Sequence, residues 1–553
     1  MVLFMYVLAF VRGLWAIDFI SVAFIIGFII SLFAQKNSSY KEELIIYRKL
    51  IFNVQFIASL IFFTVLAFLV MDKKVTWWDD YNFWAADAKS IFGLNGFSSK
   101  YANVAPEFGD YPPGTQMFKW WFNHLSPGEF NEGLMFSGYY FMLFSFLMPF
   151  LSFARNSRKL LNILCTAFSC VMILLFPATV EAFWCDGCCA DTIMAVIFGS
   201  FIIGVIITSK ESDNNTKNTG GFVRFHEVNQ YLLLAVLSLS KNTAFLWLFL
   251  AVLFYMVIHI FVAKDFRIKA FLKLVASPVL ALGSWYGFCL IMRRVAKLTG
   301  SAVSMVTGTT SLPEYQGELT RVYVNAFLKY PLHRYENGII NLSPLSLLIL
   351  FIVAVTVLCL FKKVSKKEGV VLGIYIIIAG AAFYIFDLVC HLTIFANETQ
   401  YLEEFAMVSS MERYGAPFTI GIMMLLIYLS LKNAKKWVSV VVISLFIMLT
   451  TDYESTYRTV NGYRKTIDET MNTRSEIIDE KGWNFLKEIE GKKNERILYV
   501  RDVNDISWVR NTYMAFEASP VSLVFRNMDL EVTDMSEIEA AMKELHASSY
   551  HID

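Results

Sequence analysis

The chain has 553 residues, with 48 Lys and Arg against 47 Asp and Glu, and a formal net charge of +1. It is 56% hydrophobic and only 17% charged, with a mean hydropathy of +0.51. That balance excludes an ordinary soluble globule; no nucleic-acid partner is expected, although the net charge itself says nothing about partners because the charges are sorted by loop.

Apolar runs of roughly eighteen or more residues recur along most of the chain, each long enough to cross a ~30 Å hydrocarbon core. Residues 1–35 are apolar apart from Arg12 and Asp18. They lack the basic start and cleavage site of a signal peptide and read as a retained span. Whether 1–11 forms a separate short helix is open.

Basic segments recur at 36–49, 155–159, 210–224, 264–269, 362–367 and 432–436. All fall on the cytoplasmic side if spans run over 14–34, 50–71, 132–153, 160–177, 190–208, 228–240, 242–263, 270–291, 343–361, 369–390, 414–431 and 437–452. The predicted architecture is an α-helical polytopic membrane protein of about twelve spans. The run at 228–240 is short and reads as broken or re-entrant. The long polar segments 72–131, 292–342 and 391–413, the short turn 178–190 and the tail then face the extracytoplasmic side.

From about residue 453 the character changes. The runs 496–500 and 521–525 read as buried strands, with helices near 506–516 and 536–545. The predicted organisation is a membrane domain over 1–452 and a small extracytoplasmic α/β domain over 453–553. No glycine-rich turn points to a nucleotide there, and the domain reads as a structural or acceptor-positioning appendage.

Eight cysteines are present, three of them close together at Cys185, Cys188 and Cys189. With no histidine nearby they do not resemble a zinc set. They read as small buried residues, with a disulfide as the alternative. His124, His333 and His391 form no constellation in sequence.

The most informative segment is Trp77-Trp78-Asp79-Asp80-Tyr81-Asn82-Phe83-Trp84, followed by Asp110-Tyr111-Pro112-Pro113-Gly114-Thr115. Carboxylates just beyond a span stay ionised only where they meet water, a cation or donor groups. The plain alternative is a solvated helix end. The tryptophans serve either as an interface belt or as platforms for sugar faces.

These motifs resemble the first extracytoplasmic loop of the GT-C superfamily of polytopic glycosyltransferases, near its protein-mannosyltransferase and aminoarabinose-transferase-like group. There an acidic pair follows an early span and a Tyr-Pro-Pro or His-Pro-Pro motif comes later in the same loop. Ala190-Asp191-Thr192, Ser240-Lys241-Asn242-Thr243 and Glu412-Arg413-Tyr414 resemble further elements of that family. The chain differs in an apparent extra span before the loop and in Asp as the second carboxylate.

The resemblance implies a polyprenyl-phosphate-linked sugar donor, used on the non-cytoplasmic face of a membrane. Such transfer needs a base for the acceptor hydroxyl and cations for the phosphate that leaves. Asp79 is the expected base. Asp80 either positions the acceptor or joins Asp79 in binding a divalent cation, Mg²⁺ or Mn²⁺. Arg413 and Lys241 are the expected phosphate ligands, and Trp84, Asp110, Tyr111 and Asp191 the expected substrate contacts. Lys241 alternatively snorkels from a helix end, and Arg413 alternatively pairs with Glu412 or Glu404.

The functional expectation is an enzyme moving a sugar to an envelope glycan, lipid or protein acceptor at the outer face of a bacterial plasma membrane. A lipid-linked oligosaccharide flippase and a glycan polymerase or ligase are the alternatives.

Overall fold

The computed structural model describes residues 1–34, 53–105, 108–126, 128–181, 183–211, 220–294, 300, 304, 307, 312–332, 339–432, 436–457, 463–505 and 507–553. The basic segment at 36–49, residues 212–219, His333 and Ile506 lie outside the described residues, as does much of the expected loop over 292–342.

The described chain is mostly helical, and helix overlaps each expected span. Five helices are long and apolar enough to cross a membrane: Ala190–Ser209, Ala244–Val262, Ile268–Ile291, Lys366–Thr393 and Glu404–Leu431. A sixth candidate is the pair Glu132–Ser145 and Met148–Ala154, bent by 47°. Leu14–Gly27, Val54–Val70, Lys159–Leu175, Pro344–Leu360 and Trp437–Thr450 are shorter apolar helices. Seventeen residues at ~1.5 Å rise cover only ~25 Å, and caps set several of these limits. Asn53 accepts from Phe56 N at the start of Val54–Val70, and Ser343 accepts from Ser346 N just before Pro344. Twelve clear spans therefore do not emerge.

One expectation is revised and one open question is settled. The short run at 228–240 belongs to a longer helix, Gly220–Ser238, which draws Arg224, His226 and Glu227 into its first turns. Residues at the amino terminus form a separate helix, Val2–Phe10. It is pinned by Tyr6, whose hydroxyl lies 2.8 Å from Ser284 Oγ, and by Phe10 packed on Phe97 and Phe288.

Close backbone approach sets the centre of the bundle. A Cβ at Gly199 would stand 3.1 Å from Gly421 Cα, and one at Gly421 would stand 3.4 Å from Gly199 N. Small residues let the Ala190–Glu211 and Glu404–Leu431 helices meet along much of their length. Asp191 on one and Arg413 on the other are brought together as a result.

Polar contacts join neighbouring helices pairwise near several of the basic segments. Gln55 Nε2 donates to Asn162 Oδ1 at 2.8 Å, Lys363 Nζ reaches Ser430 O at 3.4 Å, and Arg267 pairs with Glu227.

The tail carries a three-stranded parallel sheet in the order β2-β1-β3, with β1 at Arg496–Asp502, β2 at Ser522–Met528 and β3 at Ser549–Ile552. Helices Trp508–Ala518 and Met535–Leu545 make the crossovers that parallel pairing requires. Alternate residues of β1 face opposite cores. Tyr499 packs with Ile478, Phe485 and Met514, while Leu498 and Val500 pack with Val524 and Ile538. The predicted strands and helices are present, and β3 and three helices, Tyr453–Tyr457, Tyr463–Ile477 and Glu480–Glu488, are additional.

Arg474 fastens the tail to the 72–131 segment. Its buried guanidinium donates to both oxygens of Glu132 at 2.8 and 2.9 Å, to Tyr81 Oη at 2.7 Å and to Val75 O at 2.7 Å. Glu517 lies 3.2 Å from the same guanidinium and 3.1 Å from Lys89.

Candidate active site

Four residues from four segments form one alternating chain of charge. Arg413 pairs with Asp79 through Nη2 and reaches Asp191 through Nε at 3.3 Å. Lys241 Nζ in turn meets both oxygens of Asp191, at 2.7 and 2.9 Å. Asp191 and Lys241 are buried, whereas the Asp79 side chain is 32% exposed. The row therefore runs from a buried ion pair to an acid in contact with solvent. Arg413 pairs with neither Glu412 nor Glu404 among the described residues.

Local sequence places each member. Asp191 lies in the first turn of the Ala190–Glu211 helix, where a carboxylate also meets the partial positive charge of the helix terminus. Lys241 sits in the turn after Ser238, and that turn is held by the Tyr-Pro-Pro-Gly segment. Gly114 N donates to Leu239 O at 2.6 Å, and a Cβ on Gly114 would lie 2.6 Å from the same oxygen. Only glycine fits that approach. Proline at 112 and 113 fixes the entry to the Gly114–Asn123 helix. Burial lowers the pKa of the Lys241 ammonium while Asp191 opposes the shift.

Aromatic rings wall the cluster. Trp84 is buried and stacks on Tyr111 with centroids 5.5 Å apart, and Lys241 Nζ lies 5.7 Å from the Trp84 ring and 4.4 Å from that of Tyr414. The Tyr111 phenol is pushed upward, first by burial and then by the charge of Asp79. Trp84 is thus part of the interior, neither an interface belt nor an exposed sugar platform. Trp78 is 44% exposed and meets Trp508 of the tail edge-on at 4.3 Å.

The adjacent aspartates separate. Asp80 opens a short π-helical turn, Asp80–Trp84, and its carboxylate points inward, fully buried. It accepts from Cys188 N at 3.0 and 3.2 Å. Two buried lysines flank the same segment. Lys119 donates to Cys188 O at 2.8 Å and Trp84 O at 3.1 Å, and Lys73 donates to Tyr140 Oη at 2.9 Å and to Cys185 O. Burial raises Asp80 to about 6, with Lys119 and the Cys188 amide holding it down. Burial lowers Lys73 to about 8. Asp80 thus binds the cysteine turn beneath the site and faces away from the Asp79–Arg413 pair.

Asp110 is also buried. Its backbone oxygen accepts from Trp285 Nε1 at 2.9 Å, which fixes the loop ahead of Tyr111. All eight cysteines are free thiols, so Cys185, Cys188 and Cys189 are packing residues and not a disulfide. Asp79 and Asp80 turn to different partners, and no group of three or more His, Cys, Asp or Glu is arranged to hold a metal among the described residues. These side chains do not fit a shared divalent cation.

Several contributors were missed in the sequence. Tyr401 lies within electrostatic reach of Arg413 and Asp79 and is raised to about 12, chiefly by burial. Its ring also meets His391 at 4.4 Å, and His391 Nε2 is 3.0 Å from Ser410 Oγ. Lys73, Lys119 and Arg474 were signalled only by being cations amid apolar and aromatic neighbours, which is visible in sequence but does not identify a partner.

Compared with known proteins, the chain matches no family model, no curated protein and no solved structure.

Proposed function

We propose that this chain is a GT-C-like membrane glycosyltransferase that takes a sugar from a polyprenyl-phosphate donor and passes it to a glycan, lipid or protein acceptor at the extracytoplasmic face. The observation that carries this reading is the pairing of Asp79, in the loop beyond an early apolar helix, with Arg413 near the start of a late one. In this reading the basic ends of the bundle face the cytoplasm and about twelve helices together cross or line the membrane.

The paired state suggests an order of events. An incoming donor phosphate competes with Asp79 for the planar fork of Arg413. Its arrival frees the carboxylate, and Asp191 and Lys241 keep the guanidinium in place. Asp79 then takes the proton of the acceptor hydroxyl as that oxygen bonds to the anomeric carbon. The bond from anomeric carbon to phosphate oxygen breaks, and polyprenyl phosphate leaves with the electron pair beside Arg413 and Lys241. A single base and one direct displacement give inversion at the anomeric carbon. The test is transfer from a defined polyprenyl-phosphate sugar by the chain in lipid nanodiscs, with Asp79→Asn as the control that should be inactive.

A further inference from the structure

The Met148–Ala154 segment departs by 47° from the Glu132–Ser145 helix, and a cavity of about 560 Å³ lies beside the bend. Its other walls come from Lys159–Leu175, the last turns of Glu404–Leu431 and Lys436–Thr450. The lining is apolar, with Phe168, Met172, Met424 and Val441 among its side chains. Phe168 and Val441 are 43% and 53% exposed, so the cavity is open to the surroundings of the bundle. It falls within the ~300–1,000 Å³ range of ligand sites.

One part of the lining is polar. Arg155 and Asn156 belong to it, and Arg155 is exposed and meets no carboxylate among the described residues. Arg158 and Lys159, also exposed, follow directly at the start of the next helix. Trp437, 59% exposed, joins the lining as an indole of the kind that anchors at headgroup depth. An open apolar slot with an unpaired guanidinium matches a molecule with a hydrocarbon chain and an anionic head.

We propose that this cavity is a binding site for an anionic glycerophospholipid of the leaflet at the basic end of the bundle. One acyl chain fills the slot and the headgroup phosphate meets Arg155. A membrane surrounds any such slot with hydrocarbon, so chain burial supplies little preference of its own. Selection comes from the net charge of the headgroup: the guanidinium and the neighbouring basic residues favour a phosphate that carries no cation of its own beside it. The site is separate from the Asp79–Arg413 pair and stands whether or not the chain transfers sugar.

The test is native mass spectrometry of the full chain, delipidated in mild detergent and titrated with phosphatidylglycerol or phosphatidylcholine of identical acyl chains. Phosphatidylglycerol should be retained about tenfold more strongly, because its phosphate has no choline cation beside it to oppose the basic residues. Arg155→Ala should remove most of that preference, and the small remainder is due to Arg158 and Lys159. Ser169→Trp, a bulky side chain in the lining, should lower retention of both lipids, with an unchanged circular dichroism spectrum showing that the fold is intact. Equal retention of the two lipids by the parent chain, or no change in Arg155→Ala, would overturn the proposal. So would preferential displacement of phosphatidylglycerol by undecaprenyl phosphate, which would give the slot to an isoprenoid lipid.

Discussion

The guanidinium of Arg413 is shared between an acid that sees solvent, Asp79, and one that does not, Asp191. Arg413 is thereby held from its buried side and has its other edge directed at an exposed carboxylate that a phosphate is able to replace. Replacing Arg413 with lysine keeps the charge and loses the fork. Donor affinity in Arg413→Lys should drop by roughly 1–3 kcal/mol, the scale of a charge-assisted hydrogen bond. Equilibrium binding of a labelled polyprenyl-phosphate sugar measures this, and unchanged affinity would assign Arg413 to structure alone.

Asp191→Asn tests the buried half of the row. It leaves the Lys241 ammonium buried without its carboxylate, and removing one member of a buried pair costs about 3–5 kcal/mol. Thermal unfolding in detergent should show a clear loss for Asp191→Asn. The double variant Asp191→Asn/Lys241→Met, which removes the stranded charge as well, should recover much of it. An additive double variant would mean that the pair is not coupled.

Arg474→Met should loosen the 463–477 helix from the 72–131 segment, while contacts such as Lys89–Glu517 and Trp78–Trp508 persist. Glu132 would lose both contacts to the guanidinium and keep only the Val75 amide and, at 4.0 Å, Lys74. The same estimate of about 3–5 kcal/mol applies. Hydrogen exchange should quicken at the 463–477 helix and around 75–81, while the sheet of the tail keeps its protection. Uniform exchange across the whole chain would contradict a local latch.

Asp80 gives a pH dependence with a definite sign. Its folded value is raised from 3.8 to about 6, so between those values the folded state holds a proton that the unfolded state has released. Stability from this group is complete below the unfolded value and is lost as pH rises through about 6, by roughly 3 kcal/mol in all. Asp80→Asn should flatten the fall in melting temperature between pH 4 and 6. A profile identical to that of the parent would show that Asp80 does not carry it.

Much of this arrangement was legible residue by residue but not as contacts. Asp79, Asp191, Lys241 and Arg413 stand out because charged side chains are costly beside apolar runs and need a reason to be there. Their pairing depends on the close approaches at Gly199 with Gly421 and at Gly114 with Leu239, which join segments far apart in the chain. The burial of Asp80 was not legible beside its more accessible neighbour Asp79. One residue of rotation in the π-helical turn buries it, and no pattern of spacing announces such a turn. In the tail, Arg496–Asp502 and Ser522–Met528 show as apolar runs, whereas Ser549–Ile552 is short, alternates in burial and has no such signature.

The central claim is that Asp79 accepts the proton of the acceptor and that Arg413 holds the donor phosphate in its place. The most direct measurement is made on Asp79→Asn in nanodiscs, reading single-turnover transfer and donor binding on the same preparation. Transfer should fall by at least about 10²-fold, the contribution of a positioned base. Donor binding should be retained or strengthened, because the carboxylate that competes for Arg413 is gone. Near-parental transfer by Asp79→Asn would contradict the account.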